Sequence, residues 1–98
     1  MTLTELKYIV AVAREKHFGR AADACYVAQP TLSIGVKKLE EELGVKIFNR
    51  EGGISLTDAG VVLVEQAVEI LEQAKLMKMI AANMGKAIVV AEAIETIN

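Results

Sequence analysis

The sequence predicts a mainly α fold: a winged helix-turn-helix headpiece with a small β-hairpin wing, followed by a long dimerisation (linker) helix. Three observations predict it. Two short helical stretches are separated by only Tyr26, Val27, Ala28 and Gln29, and helices joined by so tight a turn form a helix-turn-helix. A Gly52-Gly53 dipeptide sits between two short apolar runs. An unbroken apolar repeat of alternating four- and three-residue spacing then runs from Leu63 to Met84.

The first helix opens at Thr2. In Thr2-Leu3-Thr4-Glu5 a hydroxyl and a carboxylate stand three residues apart, so each can satisfy a free backbone N–H at the helix start. Leu6, Ile9, Val10 and Ala13 recur at helical spacing and mark a buried face. The pattern fades at Arg14-Glu15-Lys16-His17. A second helix is expected from Gly19 to Cys25, with the small residues Ala21, Ala22 and Cys25 inward, where another backbone passes close.

Pro30 announces the third helix, since its missing N–H is one that a helix start leaves free in any case. Leu32, Val36, Leu39 and Leu43 form its buried stripe, and Gly44 suits the left-handed position that closes a helix. Gly35, inside this helix, either admits a close neighbour or weakens the helix. Val45 to Phe48 and Ile54 to Leu56 are the expected strands, with Gly52-Gly53 supplying the positive φ of the hairpin.

Thr57 caps the fourth helix, and Asp58 stands in its first turn. The repeat carries it to Met84, about 42 Å at 1.5 Å per residue, with Gly85 ending or kinking it. Leu63, Ala67, Ile70, Ala74, Met77, Ala81 and Met84 make a heptad seam suited to a second copy. Val64, Val68 and Leu71 form a stripe beside it that can rest on the headpiece. The expected organisation is thus a headpiece over residues 1–56, a linker helix over 57–84, and a tail over 85–98 that is either strand or further helix.

Composition narrows the function. Apolar residues are 53% of the chain, yet no run reaches the ~20 residues of a membrane span. The start, MTLTELK, lacks the features of a secretion signal, so a cytoplasmic location is expected. One cysteine, Cys25, excludes an internal disulfide and a cysteine-based zinc cluster, and reads as a small buried hydrophobe. The single histidine, His17, has no second ligand and suits a helix-end or phosphate contact. No metal, cofactor or catalytic residue is expected, because there is no paired-carboxylate pocket and no phosphate-binding glycine loop. The net charge is −2. Residues 1–50 nevertheless carry eight cations against six acids, whereas residues 51–98 carry three against seven. A nucleic-acid site therefore belongs in the first half.

The outward face of the third helix fits that role. Its first turns present an amide (Gln29), two hydroxyls (Thr31, Ser33) and an apolar contact (Ile34), with Lys37 and Lys38 one turn on. A helix entering the major groove by its N-terminus uses these groups. Amides pair with adenine edges, an apolar side chain touches a thymine methyl, and lysines neutralise phosphate. Arg20, at the start of the second helix, reaches either a phosphate or the acids Asp23 and Glu15. The Glu40-Glu41-Glu42 run reads as a solvated face.

The runs Phe18-Gly19-Arg20-Ala21-Ala22, Ala28-Gln29-Pro30-Thr31-Leu32-Ser33, Lys38-Leu39-Glu40-Glu41-Glu42-Leu43-Gly44-Val45, Phe48-Asn49-Arg50 and Leu56-Thr57-Asp58-Ala59-Gly60 together resemble the amino-terminal domain of LysR-type transcriptional regulators, and most of all its peroxide-sensing members. The resemblance covers about residues 1–84. It implies a homodimer bound to double-stranded DNA at an interrupted inverted repeat, with tetramers possible in full-length forms. It places Gln29, Pro30, Thr31, Ser33 and Lys37 at the DNA-contacting positions and Arg50 at the wing. The wing Glu51-Gly52-Gly53-Ile54-Ser55 departs from the family pattern in carrying no cation. A winged-helix protein-interaction module is the alternative, separated by salt, since counterion release weakens DNA binding steeply.

Overall fold

The computed structural model describes residues 1–97. Four helices and one hairpin follow in the order α1 (Leu3–Glu15), α2 (Phe18–Ala24), α3 (Gln29–Leu43), β1 (Phe48–Asn49), β2 (Ser55–Leu56) and α4 (Asp58–Ile97). The strands are antiparallel, with Phe48 opposite Leu56 and Asn49 opposite Ser55.

Local chemistry fixes the ends of the helices. Thr2 and Glu5 close the expected capping box on α1: the Glu5 N–H donates to Thr2 Oγ1 at 3.1 Å, and the Thr2 N–H to Glu5 Oε1 at 2.9 Å. His17 is the N-cap of α2, its Nδ1 accepting from the Arg20 N–H at 3.0 Å. The helix-end contact expected of His17 is thus made at the start of α2 rather than at the C-terminus of α1. The turn into α3 closes where the Val27 N–H donates to the Ala22 carbonyl at 3.0 Å, with Tyr26 held at a positive φ of 58°. Gly44 ends α3 in the left-handed region at φ 73°, as expected.

The core lies where α1, α2, α3 and the base of the hairpin meet. Ile9, Val12, Ala21, Leu32, Val36, Leu39 and Ile47 are all at most 1% exposed. Removing a buried leucine's methyl groups from such a core costs about 2–5 kcal/mol. Gly35 resolves as a close-approach glycine: a Cβ there would stand 2.7 Å from Cδ2 of the buried Tyr8 ring on α1.

Two expectations change. The strands are shorter than predicted, because Val45 to Ile47 stay outside the ladder and are held by side chains of α3 and Thr57 instead. The fourth helix does not end at Gly85; α4 spans 40 residues, about 60 Å, and takes in the tail as helix as far as Ile97, Asn98 lying outside the described residues. The molecule is correspondingly elongated, 70 × 25 × 20 Å.

The dimer seam is also redrawn. Ala67 is 1% exposed and packs into the headpiece core, with Leu63 beside it. Ala67 therefore has no surface left for a partner, while Leu63 is only partly buried. Ala74 is half-buried, while Ile70, Met77, Ala81 and Met84 remain exposed. Val64 and Leu71 rest on the headpiece as expected, but Val68 is exposed.

Candidate nucleic-acid interface

The face of α3 opposite its buried stripe is open. Gln29, Pro30, Thr31, Lys37 and Lys38 are exposed, Ser33 is half-buried, and Ile34 is 60% exposed. The sequence-predicted residues on α3 therefore share one surface, at the N-terminal half of a helix whose other side is fixed by Leu32, Val36 and Leu39. The first turn of α3 has no side-chain cap, because Ala28 occupies the N-cap. Pro30 brings no N–H to that turn, and the Thr31 and Leu32 N–H groups donate to the Ala28 carbonyl at 3.1 and 3.2 Å, so the turn is closed by backbone alone.

Arg20 stands slightly apart. It is exposed, and its Nη2 donates to the Glu15 carbonyl at 3.3 Å, capping the end of α1. Neither Asp23 nor the Glu15 carboxylate holds it.

Arg50 is brought to α3 by a network that the sequence reading missed. Glu40 is only 13% exposed on its side chain. Its Oε2 accepts from the Ile47 N–H at 2.7 Å and the Phe48 N–H at 3.5 Å. Its Oε1 lies 3.6 Å from Arg50 Nη2. The Arg50 guanidinium stands 4.8 Å from the Phe18 ring centroid, and Phe18 meets Phe48 edge to face at 6.2 Å. Glu40 is therefore not part of a solvated run. The signal was available: Glu40 lies four residues after Val36 and three before Leu43, on the edge of the buried stripe.

The same network shapes a cleft of about 520 Å³ between the C-terminal half of α3 and the hairpin, lined by Lys37, Lys46 and Arg50 together with the acids Glu40 and Glu41 and by Phe48. Neither Lys37 nor Lys46 has an ion-pair partner among the described residues. Lys46 is the second residue the sequence reading passed over, since nothing in the linear pattern places it beside Lys37. The wing tip beyond carries no cation, and its glycines take the expected positive φ, 67° at Gly52 and 104° at Gly53.

Elsewhere, burial pushes the Cys25 thiol up from its ordinary value, with Lys7 opposing weakly. This matches a packing residue. Among the described residues no group of three or more His, Cys, Asp or Glu could hold a metal. No helix among them is long and apolar enough to cross a membrane.

A three-helix headpiece, a hairpin wing, an open recognition face and a long following helix define the class: a winged helix-turn-helix domain with its linker helix. Residues 3–61 match the family model of the bacterial regulatory helix-turn-helix protein, lysR family, and the chain belongs to that family. It is 47% identical over 88 residues to the hydrogen peroxide-inducible genes activator of Dickeya chrysanthemi, a match covering 89% of this chain and 29% of that protein. A full-length OxyR variant from Pseudomonas aeruginosa superposes with a TM-score of 0.82 at 57% identity, over 85% of this chain and 28% of that one. The BenM DNA-binding domain in complex with catB site 1 DNA superposes with a TM-score of 0.84 at 34% identity, covering 87% and 97%. The chain thus spans 29% of the length of that activator, and 28% of the length of the Escherichia coli regulator OxyR, to which it is 45% identical over 87 residues. Those relatives are transcriptional regulators, not enzymes.

Proposed function

We propose that this chain is a sequence-specific DNA reader that binds an interrupted inverted repeat as a homodimer and serves transcription in the cytoplasm. The observation that carries the reading is the exposed face of α3 set on a rigid three-helix core, in a fold superposable on a domain solved with DNA. Gln29, Thr31, Ser33 and Ile34 read base edges, and Pro30 holds the first turn of the helix in place at the DNA. Lys37, Lys38, Lys46 and Arg50 neutralise the flanking backbone, and Arg20 reaches phosphate beside the first turn.

The dimer rests on α4. Beyond Ala74 no headpiece lies beneath the helix, yet Leu76, Met77, Met79, Ile80 and Met84 are 46–72% exposed. A helix apolar on all sides is one that something covers. Charge supplies the occupant. Asp58, Glu65, Glu69 and Glu72 make the proximal half acidic, and Lys75, Lys78 and Lys86 follow. Antiparallel pairing of two copies sets acids of one beside lysines of the other, an arrangement that fixes register and partner. Ile70, Met77, Ala81 and Met84 are the members of the expected seam left free for it.

The test is fluorescence anisotropy with a labelled duplex carrying an interrupted inverted repeat against a scrambled duplex, at two salt concentrations. Preference for the repeat, weakening with salt, is expected. Absence of binding at low salt would contradict the reading and favour the protein-interaction alternative.

A further inference from the structure

We infer that Glu40 and Phe18 are positioning residues that hold the Arg50 guanidinium ready for a DNA phosphate in the cleft it shares with Lys37 and Lys46. The inference rests on the DNA-reading function proposed above and adds how the wing side of the site is built.

An arginine side chain is long and loses much freedom when fixed in one orientation. Here the ordering is done before any anion arrives. The guanidinium carbon lies over the Phe18 ring, 4.8 Å from its centroid, and Nη2 is 3.6 Å from Glu40 Oε1. Half of the side chain is still exposed, at 51%, so the remaining edge is free. That edge is a fork of N–H donors of the geometry that matches phosphate oxygens. Glu40 is itself immobilised by the Ile47 and Phe48 N–H groups, and Phe18 by the edge of Phe48. Both supports are thereby anchored to the recognition helix and the hairpin base rather than to the wing tip. The cations on either side, Lys37 and Lys46, have no acid of their own among the described residues.

An acid in a phosphate-binding cleft would ordinarily repel DNA. Pairing with Arg50 offsets the charge of Glu40 while fixing the arginine, with Lys37 and Lys46 set against the cleft's other acid, Glu41, so the effect of Glu40 depends on whether Arg50 is present. Glu40→Gln keeps an oxygen for the Ile47 N–H and removes the ion pair, making it the informative substitution.

The experiment measures the anisotropy-derived Kd and its salt slope on the inverted-repeat duplex for the parent, Glu40→Gln, Arg50→Ala and the double variant. Thermal melting checks that each is folded. Glu40→Gln is expected to weaken binding about three- to tenfold in the parent background. In the Arg50→Ala background it is expected to tighten binding about twofold, because only the repulsive charge is then removed. Arg50→Ala alone flattens the salt slope by about one. Should Glu40→Gln unfold the hairpin base, Phe18→Leu serves instead, since it changes no charge. It is expected to weaken binding only where Arg50 is present. Tightening by Glu40→Gln in both backgrounds, or equal Kd values throughout, would overturn the positioning role while leaving the DNA reading intact. A parent that binds no duplex would overturn both.

Discussion

The two halves of α4 share one helix and one composition style but answer to different partners. Over its first turns, the side bearing Leu63, Val64, Ala67, Leu71 and Ala74 is covered by the headpiece, and Ala67 is 1% exposed. Past Ala74 the same helix carries Met77 at 72% exposure and Met84 at 60%. The proximal half is therefore part of a monomer's core, and its contribution belongs to folding. The distal half has no headpiece beneath it among the described residues, and the dimer proposed above assigns its apolar side chains to assembly. A continuous apolar repeat does not show where one role gives way to the other. That boundary is set by where the headpiece stops.

Substitutions separate the halves. Ala67→Glu places an unpaired charge and a longer side chain in a filled core, and is expected to destabilise the fold by about 3 kcal/mol or more. Chemical denaturation of dilute protein checks it. Met77→Glu or Ile80→Glu is expected to raise the dimer dissociation constant by tenfold or more, since a charge enters an apolar pairing surface. Sedimentation reads this. The melting of dilute monomer should move by less than about 0.5 kcal/mol, as for an exposed site. A distal substitution that unfolds the headpiece would erase the distinction.

Within the headpiece the expected effects are smaller and divide by kind. Gln29→Ala or Ser33→Ala is expected to cost about 1–3 kcal/mol of discrimination between the true and a scrambled site. Lys38→Ala should weaken both duplexes alike and reduce the salt slope by about one. Thr2→Ala removes one half of the capping box on α1 and should cost about 1 kcal/mol of stability with no effect on DNA preference, read by thermal melting. The smallest effect concerns Cys25. Its thiol is pushed up by burial, which lowers the thiolate fraction at neutral pH, so its alkylation should be slower than that of a free thiol and quicken as pH rises.

Elements set by local chemistry were legible in the chain. The Thr2/Glu5 box, the proline-led start of α3, three residues of its stripe (Leu32, Val36 and Leu39) and the Gly44 terminus appear in the structure where the residues indicate, whereas Leu43, expected in the stripe, is exposed in the last turn. The outward face of α3 followed from the same stripe. What escaped depended on contacts between segments far apart in sequence. Glu40 looked like one of three solvated acids until the loop after Gly44 folded back and offered it the Ile47 N–H. Lys46 gained meaning only from the cleft it shares with Lys37 and Arg50. The helix end expected at Gly85 failed because glycine's helix penalty of about 1 kcal/mol is small beside the propensity of the long alanine- and lysine-containing stretch around it. Ala67 was assigned to the seam because a heptad pattern shows that a face is buried without showing against what.

The most direct test of the account compares two duplexes, one with a single half-site and one with both halves of the inverted repeat, for the parent and for Met77→Glu. The parent is expected to bind the paired site far more tightly than the half-site, and Met77→Glu to bind the two about equally, with its half-site affinity unchanged. A parent that shows no preference for the paired site, or a Met77→Glu variant that keeps the preference, would contradict the claim that the free half of α4 joins two DNA-reading headpieces.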